Sequence, residues 1–339
     1  MKCPGITQKT CEILAVGDAV TRKEEMYKML NYEGALLSPD ISWDILTSYR
    51  KMPLKLYKYQ SFIQTDGREN PYWISNMEGQ FHLSLGCEFE DKEDCKPTFK
   101  KKTVYKHIDY FLKSIGVDYK RKSEILKELE RNLTNDYFDT VISNYQKKIR
   151  IGCFTDSSEN ECMWKKYAYD KTGYCIEYDT SKHELFQSST FPVQYRDQPY
   201  DCSLTLADLL ILWSKNGGDQ LTKENLKTFQ PIYERILKMA YIPAFIKKNK
   251  WSFEHEYRMF LLKQRTSENR VIERFQYLDN NSNLDLSNAI SAIYLGERFA
   301  ENANSDDLIK KIINLCEMKR LKLFQKTDKK GKIENLEIL

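Results

Sequence analysis

The chain has 339 residues, of which 41% are hydrophobic and 30% charged, with a net charge of +4 and four histidines. That is enough apolar material for a substantial core. The small net charge neither demands nor excludes a nucleic-acid partner. Aromatic residues reach 13%, with 22 tyrosines, a composition suited to half-buried walls that need an apolar ring and a polar tip. The nine cysteines show no Cys-x-x-Cys pair, and histidine is scarce. Both facts argue against a zinc site, and no metal is expected. No secretory leader and no apolar run of the roughly 18 residues needed to span a bilayer is found. The expectation is a cytoplasmic protein with free, mostly buried thiols and no membrane partner.

Residues 1–50 read as a mixed, partly helical leader, with an amphipathic helix in TRKEEMYKML. Residues 51–339 read as one domain. Leu54 to Phe62 alternates as a strand, with Leu56 and Lys58 on one face and Tyr57 and Tyr59 on the other. Phe81 to Gly86 alternates likewise. Residues 103–148 carry apolar positions at helical spacing and form a first helical insert. Arg150 to Ser157 is a short strand, Glu159 to Ala168 a short helix, and Tyr174 to Asp179 a strand that follows Gly173. FPVQY is another strand. A second helical insert covers 203–248, stopped once at the glycine pair of SKNGG and broken at Pro231 and Pro243. Ala289 to Glu297 is a buried strand, Ser305 starts an amphipathic helix, and RLKLFQK and KIENLEIL form a final strand pair. The class is α+β: a mixed or antiparallel sheet core with large helical inserts.

The stretch WSFEHEYRMFLL, Trp251 to Leu262, carries the densest chemistry. Read as a strand from Ser252, it places Glu254, Glu256 and Arg258 on one face, the two glutamates roughly 6.5 to 7 Å apart at Cα. Such a row shifts a carboxylate's pKa in either direction according to burial. The plainer reading is a solvated strand face with a Glu–Arg pair, or Glu254 and Arg258 as an i,i+4 helical pair. On the earlier short helix, Trp164 and Tyr167 are three apart, so their rings either flank one space for a planar ligand or sit in the core. Thr155, Asp156, Ser157 and Ser158 offer an anion-binding turn or a plain N-cap. The acidic FEDKEDCKP segment, Phe89 to Pro97, lacks calcium-loop spacing and reads as a solvated loop. Cys153 and Cys162 have no base nearby in sequence, so neither is taken as a nucleophile.

LYKYQSF, FHLSLGCEFED, GCFTDSSENECMWKKYAYDKTGYCIEYD, VQYRDQP, KKNKWSFEHEYRMFL and ISAIYLGE occur in one order. Together they resemble the bacterial domain-of-unknown-function family 2971 over roughly residues 54–298. The most specific part is Trp164-x-x-Tyr167 with Glu254-x-Glu256-Tyr257-Arg258. Thr155 stands where that family usually has serine, and Glu90 where asparagine is common. The resemblance implies an accessory bacterial protein, with phage defence among the candidate roles.

A second likeness bears on mechanism. ADP-ribosyltransferases of the Arg-Ser-Glu type carry, in order, a basic residue, a Ser/Thr strand and a Glu-x-Glu strand. The chain is similar in presenting Lys58, Thr155, and Glu254 with Glu256, and in its scattered strands, which a split sheet of that type would accommodate. The likeness implies NAD as substrate. Lys58, Tyr59, Thr155, Trp164, Tyr167 and Arg258 would bind it, Glu256 would stabilise the ribosyl cation, and Glu254 would position or deprotonate an acceptor, a protein or a nucleic acid. A toxin or defence effector is the implied role. Lysine for arginine loses the two-pronged fork. Two alternatives stay open. One is a metal-dependent nuclease built on Glu254, Glu256 and Lys263 with Asp91 or Asp94. The other is a non-catalytic module sensing a nucleotide or a phage protein.

Overall fold

The computed structural model describes residues 52–64, 66–215, 242–262, 283–302, 305–327 and 333–335. The leader at 1–50, Pro231 and Lys263 lie outside them. Within them the protein is α+β. The chain runs β1 (Lys55–Gln60), α1 (Trp73–Glu78), β2 (Gln80–His82), β3 (Ser84–Leu85), α2 (Lys101–Ser114), α3 (Tyr119–Asn132), α4 (Asn135–Gln146) and β4 (Ile149–Thr155). It continues through α5 (Glu161–Tyr167), β5 (Tyr174–Asp179), α6 (Glu184–Ser189), β6 (Thr190–Pro192), β7 (Gln194–Tyr195) and α7 (Ser203–Lys215). After the next described residue, Ile242, come β8 (Ile246–Lys247), β9 (Glu256–Leu262), β10 (Asn283–Asp285), β11 (Ile290–Leu295), α8 (Ser305–Lys319), β12 (Lys322–Lys326) and β13 (Ile333–Asn335).

Nine strands make one mixed sheet in the order β13-β12-β11-β5-β1-β4-β9-β6, with β3 added on β4. Its neighbours are antiparallel except for the β11–β12 pair, which is parallel. One face holds the main core, where Leu56, Phe154, Ile176, Tyr178, Met259 and Ile293 pack together. The alternation read in β1 is what the fold uses: Leu56 enters this core while Tyr57 and Tyr59 join a smaller cluster with Trp164, Cys175 and Tyr294 on the other face. The first helical insert forms its own apolar layer, in which Val104, Ile108, Leu126 and Phe138 meet Leu206 and Ala207 of α7.

The join between β1 and β4 positions the site. β1 matches β5 over six consecutive pairs, yet meets β4 through one pair, Tyr57 with Thr155. The same edge of β4 is taken up again by β3 at Arg150 and Ile151. Between these two contacts lies a wedge at Gly152, Cys153 and Phe154. Phe81 fills part of it, its ring stacked 4.6 Å from that of Phe154. A methyl group on Gly152 would lie 2.3 Å from the Phe81 ring, so the absence of a side chain there lets the two rings approach.

Three sequence expectations are corrected. The strand expected from Ser252 begins at Glu256. Residues Asn249–Glu254 form a 3-10 turn, ended by His255 in a left-handed conformation at φ 46°. Aromatic weighting pointed to a strand, but a turn is needed to bring Glu254 back over Glu256. The end of the second helical insert is likewise not helical. Ile242–Phe245 is a 3-10 turn, and Ile246–Lys247 is a strand parallel to Gln194–Tyr195. The acidic segment at Phe89 to Pro97 is solvated only in part: Glu90, Lys92 and Glu93 are exposed, but Asp94 is buried to 4% exposure and Cys95 completely.

Candidate functional site

The wedge opens into a cavity of about 240 Å³. Tyr57, Lys58 and Tyr59 line it from β1, and Cys153 and Phe154 from β4. Phe89, Asp91 and Asp94 come from the acidic segment, Met163, Lys166 and Tyr167 from α5, and Lys247, Trp251, Glu254 and Glu256 from the β8–β9 region. Five segments thus converge on one hollow.

Lys247 is its centre. Its ammonium donates to Glu254 and, at 3.0 Å, to Glu256, with Asp94 3.8 Å away. The Tyr167 hydroxyl donates to the other oxygen of Glu254. Beneath them Arg258 is entirely buried. Its Nε lies 2.7 Å from Glu256 Oε1, and its two terminal nitrogens lie 2.8 and 2.7 Å from the two oxygens of Asp94. A further donation reaches the Ala244 carbonyl at 2.7 Å. This is the planar, two-pronged recognition that arginine performs and lysine does not. The Glu256 amide donates to the Tyr195 hydroxyl at 2.8 Å, fixing the backbone as well.

The two glutamates differ electrostatically. Burial pushes the Glu254 carboxyl above its ordinary value. The neighbouring Glu256 charge adds to this, and Lys247 opposes it. Burial also acts against ionisation of Glu256, but Arg258 and Lys247 outweigh it and hold that carboxyl well below the usual range. The two carboxyls are thus displaced in opposite directions, the kind of separation by which paired carboxylates divide roles in acid–base sites. Burial and the carboxylate of Glu254 keep the proton on Tyr167.

The rim is aromatic and cationic. Trp251 donates from Nε1 to Asp91 at 2.8 Å, and the Lys166 ammonium sits 3.4 Å from the centroid of its ring. Burial works against the Asp91 charge, but the Trp251 donor and Lys250 bring its pKa down to about 2. Asn160 caps α5 by accepting from the Met163 amide and donates to the Phe253 carbonyl at 2.5 Å, which ties the helix carrying Tyr167 to the turn carrying Glu254.

Of the residues singled out from the sequence, Lys58, Tyr59, Tyr167, Glu254 and Glu256 line the cavity. Trp164 does not. It is wholly buried, donates from Nε1 to the Ser158 carbonyl at 2.8 Å, and meets Tyr59 edge to face. Trp164 and Tyr167 therefore do not flank a common space, because α5 turns Trp164 toward the sheet and leaves Tyr167 at the hollow. Arg258 lies under the site rather than in it. Thr155 is buried in register with Glu256 and Tyr57, and its hydroxyl has no hydrogen-bond partner among the described residues. Lys58 stands between this cavity and a smaller one on the far side of Phe81. Asp156 to Ser158 precede a helix whose cap is supplied by Asn160. Sequence reading missed Lys247, Trp251 and Tyr195 as parts of the site, and weighed Asp94 only as a distant metal ligand.

The comparisons with known proteins bear on this constellation. Residues 163–259 match the family model described as protein of unknown function (DUF2971). The matched segment runs from Met163 in α5 to Met259 in β9 and so contains Tyr167, Lys247, Glu254, Glu256 and Arg258. Asp91, Asp94 and the β1 and β4 residues of the hollow come from outside it. The resemblance drawn from Trp164-x-x-Tyr167 and Glu254-x-Glu256-Tyr257-Arg258 stands on that segment. No curated protein and no solved structure matches the chain. Among the described residues, no helix is long and apolar enough to cross a membrane.

Proposed function

We propose that the hollow is a glycosyl-transfer site that uses NAD. In this reading the bond between nicotinamide and the ribose anomeric carbon breaks, and its electron pair leaves with nicotinamide. Glu256, held ionised from below by Arg258, stabilises the positive charge left on the ribosyl group. Glu254, whose carboxyl burial raises above its ordinary value, takes the proton of the attacking hydroxyl of an acceptor or of water. The products are nicotinamide, an ADP-ribosylated acceptor or free ADP-ribose, and a proton. Tyr57, Tyr59, Phe89 and Trp251 supply apolar walls for the leaving ring.

The observation that carries the reading is the pair Glu254 and Glu256, both held by Lys247 and displaced in opposite directions from their ordinary pKa values inside an aromatic hollow. The volume of about 240 Å³ is below the roughly 300–1,000 Å³ of pockets that enclose a whole ligand. It suits the reacting end of a dinucleotide with the remainder lying beyond. An enzyme drawing on the cellular NAD pool in this way would serve as a toxin or defence effector.

The test is incubation of the full chain with NAD in chelator, with nicotinamide and adducts followed by mass spectrometry. Release by the native protein and its loss in Glu256→Gln support the reading. Thermal stabilisation by NAD with no nicotinamide formed would leave a sensing module instead. Cleavage of DNA or RNA that requires magnesium or manganese, with no effect of NAD, would replace it with the nuclease alternative.

A further inference from the structure

A second cavity of about 240 Å³ lies against the first and shares Asp91, Asp94 and Lys247 with it. Its acids are already engaged. Asp91 takes Trp251 and Lys250, Asp94 takes Arg258, Glu93 takes Lys96 at 2.8 Å, and Asp197 accepts from Asn249. Arg196 is the half-buried cation there that stays unmatched. Its guanidinium carbon lies 5.6 Å from the centroid of the Tyr200 ring, it forms no ion pair with any described residue, and its Nε is buried without an acceptor. Burial holds its pKa below the ordinary arginine value. The side chain is half-buried, and a guanidinium whose buried N–H lacks an acceptor is costly unless an anion completes it; its planar set of donors matches phosphate oxygens. Lys248, exposed at the same cavity, adds a second cation.

The backbone links this group to the reaction centre. Arg196 follows β7, and its amide donates to the Lys247 carbonyl at 2.9 Å. The small parallel β7–β8 pair therefore holds Arg196, at the second cavity, next to Lys247, which lines both.

We propose that the second cavity holds the diphosphate of the nucleotide whose ribosyl end enters the first, with Arg196 as the clamp. This rests on the functional reading above for the identity of the nucleotide, though not for the presence of the anion site.

Binding of inorganic pyrophosphate and of ADP-ribose is measured by calorimetry and thermal shift on the native chain, Arg196→Lys and Arg196→Gln. Both probes are expected to bind the native protein, ADP-ribose the more tightly. Arg196→Gln should weaken each by about tenfold or more, with Arg196→Lys in between because it keeps charge without the fork. An unchanged melting temperature without ligand shows that the variants fold. Equal binding by Arg196→Gln and the native chain, pyrophosphate binding without ADP-ribose binding, or no binding of either probe by the native chain overturns the proposal. The two readings fail separately. Arg196-dependent ADP-ribose binding with no nicotinamide release removes the enzyme and keeps the subsite. Nicotinamide release with an unaltered KM for NAD in Arg196→Gln does the reverse.

Discussion

Arg258 and Asp94 meet across 164 positions of sequence as a closed two-pronged ion pair, both side chains withdrawn from solvent. The pair joins the acidic segment to β9. Removing one partner leaves the other charged and buried, which costs about 3–5 kcal/mol. Arg258→Met should therefore lower the unfolding free energy by about that amount, read as a drop in the denaturant midpoint at constant slope. A change under about 1 kcal/mol would mean that Asp94 finds another partner or reaches water.

Glu256 links pH to stability. Its folded pKa is depressed, so its contribution is complete above the unfolded value near 4.5 and declines as pH falls below it. Glu256→Gln should destabilise the protein at pH 7 by about 1–3 kcal/mol, with the difference shrinking steadily below pH 4.5. Melting temperatures of both proteins between pH 3 and 7 check this, and a gap that stays constant would contradict it.

Glu254 has the opposite sign. Its folded pKa is raised, so the native state is favoured while the carboxyl keeps its proton, and that preference is lost as pH rises through the folded value. Glu254→Gln should cost less stability at pH 7 than Glu256→Gln does. Acting as a base, Glu254 requires nicotinamide release to rise with pH through an ionisation above 4.5. That limb should vanish from the pH–rate profile of Glu254→Gln.

The thiols should differ in reactivity. Cys162 is exposed, whereas burial and then the Glu256 charge push the Cys153 thiol up although it lines the cavity. With iodoacetamide at pH 8, mass spectrometry should find Cys162 modified well before Cys153, with Cys95 last. Equal rates at 153 and 162 would show that the Cys153 thiolate is not suppressed.

Gly152→Ala should be poorly tolerated. The added methyl meets the Phe81 ring at 2.3 Å and Leu83 at 2.7 Å, and overpacking of this kind costs about 1–3 kcal/mol. Because the strain falls in the wedge, nucleotide binding should weaken along with thermal stability.

The strands and helices were largely legible because their signals are local. Two-residue alternation marks β1 and β5, and helical spacing marks α2 to α4 and α8. Glu254, Glu256 and Tyr167 were legible as chemistry because unlike residue types crowd there. Lys247 was hidden because KKNK gives no hint of which lysine turns inward. That is decided by the pairing of Ile246–Lys247 with Gln194–Tyr195, 52 residues earlier by register. Asp94 was hidden for the same reason, since its partner lies 164 positions away. Trp164 misled because helical spacing shows that two rings lie near each other, not which of them meets the sheet.

The sheet is knit at its middle by a single rung, Tyr57 with Thr155. Nothing but side chains closes the gap beyond that rung, so whatever molecule occupies it becomes mortar between two half-walls. Occupancy and rigidity are then the same variable. A protein loaded to a hundred times its dissociation constant gains about 2.7 kcal/mol, delivered where the backbone ladder is thinnest, and amide exchange in β1 and β4 should slow before it slows anywhere else.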